Sequence, residues 1–540
     1  MERMNRIMKL VLSLMALPAL SFAQLNVLTY HYNNQRTGSN PHETILTPAN
    51  VGRNTFGKLF SVPIDSWSTA QPLYVSKLPG IVGGTHNVVY VATLNNSVYA
   101  FDADSGLLLW QQNFGVPSPM PLGPIVGFVQ AGIVGTPAID RKAGMLYFVA
   151  KTGLGTSQSP YALYLHAISL TTGLEAPFSP VLINPSVPGV TYYPDYQMSR
   201  AGVLVANGNV YIALGSCGSK GQLPGIPAIN NHGWLLAYQQ DTFDPVGVFV
   251  TTPATNNGGI WESGGAIAMD KAGFLYVATA DALFDANISG NDYGDSVLKL
   301  SPTLSLVDYF TPYNYAYLNQ QDLDVGSGGP VVINNSHKGT HYPELLVQSG
   351  KTEEIYLLNR DNLGESCTSC TSTNSNIVQD VPTPPNLSGC LPPVPPAKQA
   401  TCRYGGPAYW NTVPGTATGY LYFPEQVAYK ITDGVIAQTP IPSDDGYENA
   451  GPPIVTSNGS TQGIAWYLRH VGNAALLIAY NALTMEEIYN TSQAAGGRDA
   501  LGPIAHFDTP MVIYGKAYVT TIPASSAPAQ LVVYGLLSPK

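Results

Sequence analysis

The sequence predicts an all-β chain folded as an eight-bladed β-propeller of four-stranded blades, and three observations carry that prediction. First, a step of small residues or proline opens an apolar stretch eight times, with its second residue at Pro72, Pro137, Gly202, Gly265, Pro330, Pro407, Pro452 and Pro510. The intervals are 65, 65, 63, 65, 77, 45 and 58 residues, and a nearly constant period of this size marks a repeat architecture. Second, each head is followed by two short runs rich in Val, Ile, Leu and Tyr and bounded by Gly, Asn, Asp or Pro, as strands are. Third, only 11% of the 540 residues are charged, while Gly numbers 54, Pro 44 and Tyr 33. Such a chain lacks the Lys and Glu of long exposed helices and has the residues of strands and turns. Radial repetition is how many short sheets shield their edges.

The predicted elements follow in order. The first runs are 88–93, 145–150, 209–214, 274–279, 344–349, 419–424, 464–469 and 516–521; the second are 97–102, 164–170, 234–239, 296–301, 354–359, 426–431, 475–480 and 531–536. A further run often follows, as at 107–114 and 307–311. The last copy has room for only three strands, and an orphan strand at 56–62 precedes the first head. That strand is expected to complete blade eight from the N-terminal side. Residues 365–403 carry seven prolines and account for the interval of 77; they read as a long loop inserted in one blade connection.

Residues 1–23 read as a secretory signal: Arg3, Arg6 and Lys9, an apolar run over 10–20, then Ser21 and Ala23 around the exit. The mature chain, 24–540, is expected to be one exported propeller domain, periplasmic or extracellular. No later stretch reaches the length of a membrane span. A net charge of −10 without a basic stripe argues against a nucleic-acid partner, and a monomer is expected. In an oxidising compartment Cys367, Cys370, Cys390 and Cys402 should form two disulfides, with three connectivities open. A zinc ribbon wants two residues between paired cysteines, and Cys390 and Cys402 are separated by eleven. Cys217 stands alone.

Ala100, Asp102, Ser105, Gly106 and Trp110 stand in the pattern Ala-x-Asp-x-x-Ser-Gly-x-x-x-Trp. This resembles the tryptophan-docking repeat of quinoprotein dehydrogenase propellers, with Ser105 in place of the usual Thr. Residues 30–38, 259–265, 324–330 and 531–536 further resemble exported bacterial proteins built from pyrroloquinoline-quinone repeats. The resemblance implies the eight-bladed fold. As an activity it implies a dehydrogenase of an alcohol or sugar at the channel mouth, dependent on pyrroloquinoline quinone (PQQ) and calcium. The adjacent cysteine pair of the alcohol-dehydrogenase branch and a haem-attachment motif are both missing from the sequence.

Residues just before the heads should line the channel mouth, which nominates Gln71, Gln130, Arg200, Trp261, Glu262, Asp322, Asp324, Tyr404 and His506. Glu262, Asp322 and Asp324 are expected to form an acidic cluster with Arg200 opposite, around a cation or small polar ligand. Asp322 and Asp324 are the candidate metal ligands, and Trp261 and Arg200 the candidate cofactor contacts. The plainer alternative is an Arg200 ion pair in a wet channel. Asp281, Asp285, Asp292 and Asp295 do not follow the EF-hand order and read as a decorated turn between the second and third strands of blade four. His337 and His341 read as surface residues, and Ser327 opens a strand rather than a nucleophile elbow. The leading functional expectation is a binding or scaffolding module for a protein or small polar ligand; the alternative is the quinone-dependent dehydrogenase.

Overall fold

The computed structural model describes residues 25–119, 130–153, 161–216, 231–335, 342–352, 354–382, 405–444, 450–524 and 527–538. The signal-like segment, Cys217, His337, His341, Cys390, Cys402 and Tyr404 lie outside them. Eight small sheets form an eight-bladed propeller. Blade 1 shows the plan: Leu73–Ile81, Gly84–Ala92, Ser97–Asp102 and Leu108–Asn113 pair antiparallel in sequence order. The inner strands of blades 2 to 8 are Ala138–Asp140, Leu204–Ala206, Ala268–Met269, Val331–Asn334, Ala408–Asn411, Ile454–Asn458 and Met511–Ile513. Phe56–Pro63 pairs antiparallel with Gln530–Leu536, so the N-terminal strand lies in one sheet with the last three strands.

The apolar core is divided into slabs between neighbouring sheets. Between blades 2 and 3, for example, Leu163, Leu165 and Ala167 meet Val210, Ile212 and Trp234, all 2% exposed or less. Each fully buried Val, Leu or Ile there contributes about 1.5–3 kcal/mol. The docking repeat joins blades 1 and 2. Asp102 Oδ1 accepts from the amides of Asp104 and Ser105 and from the Ser105 hydroxyl. Gly106 takes φ +77, and a Cβ there would meet the Phe60 ring at 2.8 Å. The turn thereby aims Trp110 across the blade boundary, where Nε1 donates to the Leu170 carbonyl at 3.0 Å.

Two expectations change. The stretch 365–403 is not one loop: Glu365–Ser366 pairs parallel with the outer strand of blade 4, and Gln379–Val381 is itself the outer strand of blade 5. Among its cysteines the structure joins Cys367 to Cys370.

The second change concerns the channel, which the segment around residues 27–40 threads. Val27 bridges Tyr74 of blade 1, and the amides of Ile139, Met269, Val332, Tyr409 and Val455 donate to the carbonyls of Leu28, Asn34, Gln35, Thr37 and Gly38. Ser39–Asn40 runs parallel to the inner strand of blade 7, and the Val512 amide donates to the Tyr32 hydroxyl. Inner strands of seven blades thus spend edge amides or carbonyls on one segment, which caps edges that sheets otherwise leave unpaired.

Candidate functional site

Loops entering the inner strands and turns between second and third strands share one end of the propeller. At that end the loop into blade 4 turns sharply: Glu262, Ser263 and Gly264 take φ of +49, +45 and +83. Two non-glycine residues in the left-handed region cost of order 1–3 kcal/mol each and cluster at functional sites. The turn holds the half-buried Trp261 ring against Gly215, whose Cβ would lie 2.6 Å from it, and drives Glu262 inward until it is fully buried. Glu262 Oε1 accepts from the Ala278 amide at 3.4 Å. Burial raises this carboxyl to about 8, with the Ala278 amide and the Arg36 charge opposing.

Asp322 caps the C-terminus of the helix Tyr315–Gln321 in the left-handed region, and Asp324 follows two residues on. Lys351, just past Glu344–Ser349 in blade 5, places Nζ 2.6 Å from both Asp322 Oδ1 and Asp324 Oδ2. Asp281 joins them from the neighbouring turn: its amide donates to Asp324 Oδ1 at 2.9 Å. One carboxylate oxygen from each of Asp281, Asp322 and Asp324 lies within 4.8 Å of the others. Burial, then Asp324 and Asp322, raises the Asp281 carboxyl to about 7. Burial works against the Lys351 ammonium, but Asp324 and Asp322 outweigh it and raise its pKa. Beneath them Asp295 is fully buried, its Oδ1 accepting from the Val325 amide at 3.1 Å.

The structure therefore separates residues that were expected together. Asp322 and Asp324 share one ammonium, whereas Glu262 points to the axis and feels Arg36. Arg200 packs on the turn that carries Glu262, where a Cβ on Gly264 would stand 2.3 Å from its Nη1; Nη2 reaches the carbonyls of Ser263 and His506 at 3.5 and 3.4 Å, and its charge acts on the buried Asp508. His506 stacks on His470 at 4.8 Å. Gln71 is spent on structure, accepting from the His31 amide and donating to the Pro510 carbonyl, while Gln130 donates to the Ser66 hydroxyl. The decorated turn of blade 4 has two halves. Asp285 and Asp292 accept from Asp292, Ala254 and Thr255 within the loops, while Asp281 and Asp295 face the acidic group. Lys351 carried no signal in the sequence and Asp281 read only as part of a decorated turn, although their place after a second strand puts them at the same end as the inner-strand entries.

Three clustered carboxylates suit a hard cation, which takes oxygen ligands. Lys351 supplies the positive charge that a carboxylate-bearing ligand beside that cation needs. The residues present thus fit a hard cation together with an anionic ligand.

No protein-family model matches the chain, and no curated protein matches it. Solved structures do. A quinohemoprotein alcohol dehydrogenase, ADHIIG, from Pseudomonas putida superposes with TM-score 0.63 at 14% identity, over 96% of this chain and 82% of that one. The quinohemoprotein alcohol dehydrogenase of Comamonas testosteroni gives 0.61 at 13%, again over 96% and 82%. A europium-containing methanol dehydrogenase gives 0.61 at 14%, over 96% and 99%. The fold is that of the quinoprotein alcohol and methanol dehydrogenase propellers. Among the described residues no helix is long and apolar enough to cross a membrane.

Proposed function

We propose that the chain is a quinone-dependent dehydrogenase of an alcohol or sugar, working at the channel mouth with a hard divalent cation. The observation that carries this reading is the group Asp281, Asp322, Asp324 and Lys351 at the mouth of a quinoprotein-type propeller. Asp281 and Asp324 hold the cation, Lys351 pairs with a cofactor carboxylate, and Trp261 lies against its ring. Bound there, PQQ supplies the two-electron acceptor. Asp322, whose side chain is 55% exposed, is the carboxylate a substrate hydroxyl can reach, and it accepts that proton. In this reading the mature chain from residue 24 is an exported, single-domain monomer. The Cys367–Cys370 disulfide supports an oxidising compartment.

A second reading, a binding or scaffolding module, draws on one observation: Lys351 already neutralises Asp322 and Asp324 without a metal. Calorimetric titration with PQQ, with and without calcium, separates the two. The dehydrogenase reading expects calcium-dependent binding at micromolar strength, about −8 kcal/mol, and dye reduction with alcohols or sugars. An absence of heat, of a melting shift and of dye reduction would leave the binding module.

A further inference from the structure

The propeller has a second concave site at the end away from the acidic group. Inner strands enter at the mouth and leave through turns to the second strands, so the turns after Ala138–Asp140, Leu204–Ala206 and Ala268–Met269 lie at the far end. These turns of blades 2, 3 and 4, with the N-terminal segment as floor, enclose an open cavity of about 890 Å³, within the size range of small-molecule sites. Main-chain bonds fix the floor: the Ile139 amide donates to the Leu28 carbonyl at 2.8 Å and the Met269 amide to the Asn34 carbonyl at 2.7 Å.

The chemistry of the lining is lopsided. Leu28, Val205 and Met269 give it an apolar wall, and Asp140 and Asp270 are its carboxylates. Both carboxylates are spent. Asp140 accepts from the amides of Lys142 and Ala143 and from Gln240 Nε2. Asp270 accepts from the amides of Ala272 and Phe274 and from the Tyr276 hydroxyl, and pairs with the buried Arg360 guanidinium at 2.9 Å. The lysines are not spent. Lys142 and Lys271 are exposed, and neither ammonium has a hydrogen bond or ion pair among the described residues; the half-buried side-chain amides of Asn34 and Gln35 have none either. Arg141 adds a third positive charge, its Nη2 donating to the Ser76 carbonyl at 2.9 Å. With Arg360 balancing Asp270, positive charge is in surplus here, on a chain whose net charge is −10. A cation would be repelled, a neutral apolar ligand would leave the N–H donors unused, and an inorganic ion would leave the apolar wall wet.

We propose that this cavity is a binding site for a small organic anion, a carboxylate or phosphate ester with an apolar face. The apolar part lies on Leu28, Val205 and Met269, and the charge is drawn to the lysine-bearing rim. The site is independent of the dehydrogenase reading.

Calorimetric titration of the protein at low salt tests this with benzoate, phenyl phosphate and, as the uncharged counterpart, benzyl alcohol. At least one anion should bind with a Kd below about 1 mM, and benzyl alcohol should not; which anion binds tells carboxylate from phosphate ester. Lys142→Gln combined with Lys271→Gln alters only exposed side chains, so the melt should stay while the Kd rises about fivefold or more. Crystals of the unaltered protein soaked with that anion locate it independently of the variant, and should show it against Leu28 and Met269. Density at another place, an unchanged Kd in the double variant, equal binding of benzyl alcohol, or binding of neither anion overturns the proposal.

Discussion

Burial holds the proton on Glu262 up to about pH 8, against an ordinary 4.5, even with the Arg36 charge nearby. Between those values the folded chain binds more protons at this position than the unfolded chain, so stability falls as pH rises from 4.5 to about 8 and levels off above. Glu262→Gln cannot ionise. Its denaturant-unfolding free energy should decline less over that window, by a few kcal/mol at most, with the two proteins closest at the acid end. Parallel profiles would mean that Glu262 ionises as readily in the fold as in the open chain.

Lys351 allows a second test at this scale. Lys351→Ala leaves Asp322 and Asp324 facing Asp281 without the ammonium. Melting should come earlier in low salt, and calcium should raise the melting temperature more than in the unaltered chain. A calcium-insensitive variant would remove Asp281 and Asp324 from the list of cation ligands. The membership of this group was half legible in the sequence. Asp322 and Asp324 are found by counting back from a head. Asp281 and Lys351 lie in turns of two different blades, and their meeting depends on how neighbouring blades are set side by side. The Glu262–Arg36 relation spans 226 positions and had no local signature at all.

Among elements, the docking turn was readable because its physics is local: Asp102, Ser105 and Gly106 make the turn within five residues of each other, and Trp110 follows at fixed spacing. Trp110 is 8% exposed, bonded to Leu170 and packed 5.8 Å from the Tyr90 ring. Trp110→Ala removes both the packing and the bond between blades 1 and 2, and should cost about 3–5 kcal/mol, read as a lower urea midpoint. A change near zero would show that the blades dock without it. The elements that escaped were those without a pattern of their own. Gln379–Val381 has only three residues, too few for alternation to register among prolines. The N-terminal segment has no strand period because its partners are the free edges of seven blades, and an edge has no mark in sequence.

At the scale of the whole molecule, the period of the heads was the strongest signal in the sequence, since every blade repeats one inner-strand entry. Strands from the two ends of the described chain meet in one sheet, where Phe56–Pro63 pairs with Gln530–Leu536, and that pairing is the seam. The C-terminal strand is the third of its sheet, flanked on its other side by Lys516–Thr520. Removing residues 530–540 therefore unpairs two strands at once and strips Val532 and Tyr534 from the slab they share with Phe56, Trp466 and Val519. Two newly bare edges invite association, so the truncated chain should elute as aggregate and lose its cooperative melt. A control shortened only beyond Leu536 keeps every one of those pairs and should behave as the full chain. If the longer truncation instead eluted as a monomer with an unchanged melt, the blades would be holding their ring through the inner strands and the threaded N-terminal segment alone, and the seam would carry no stability.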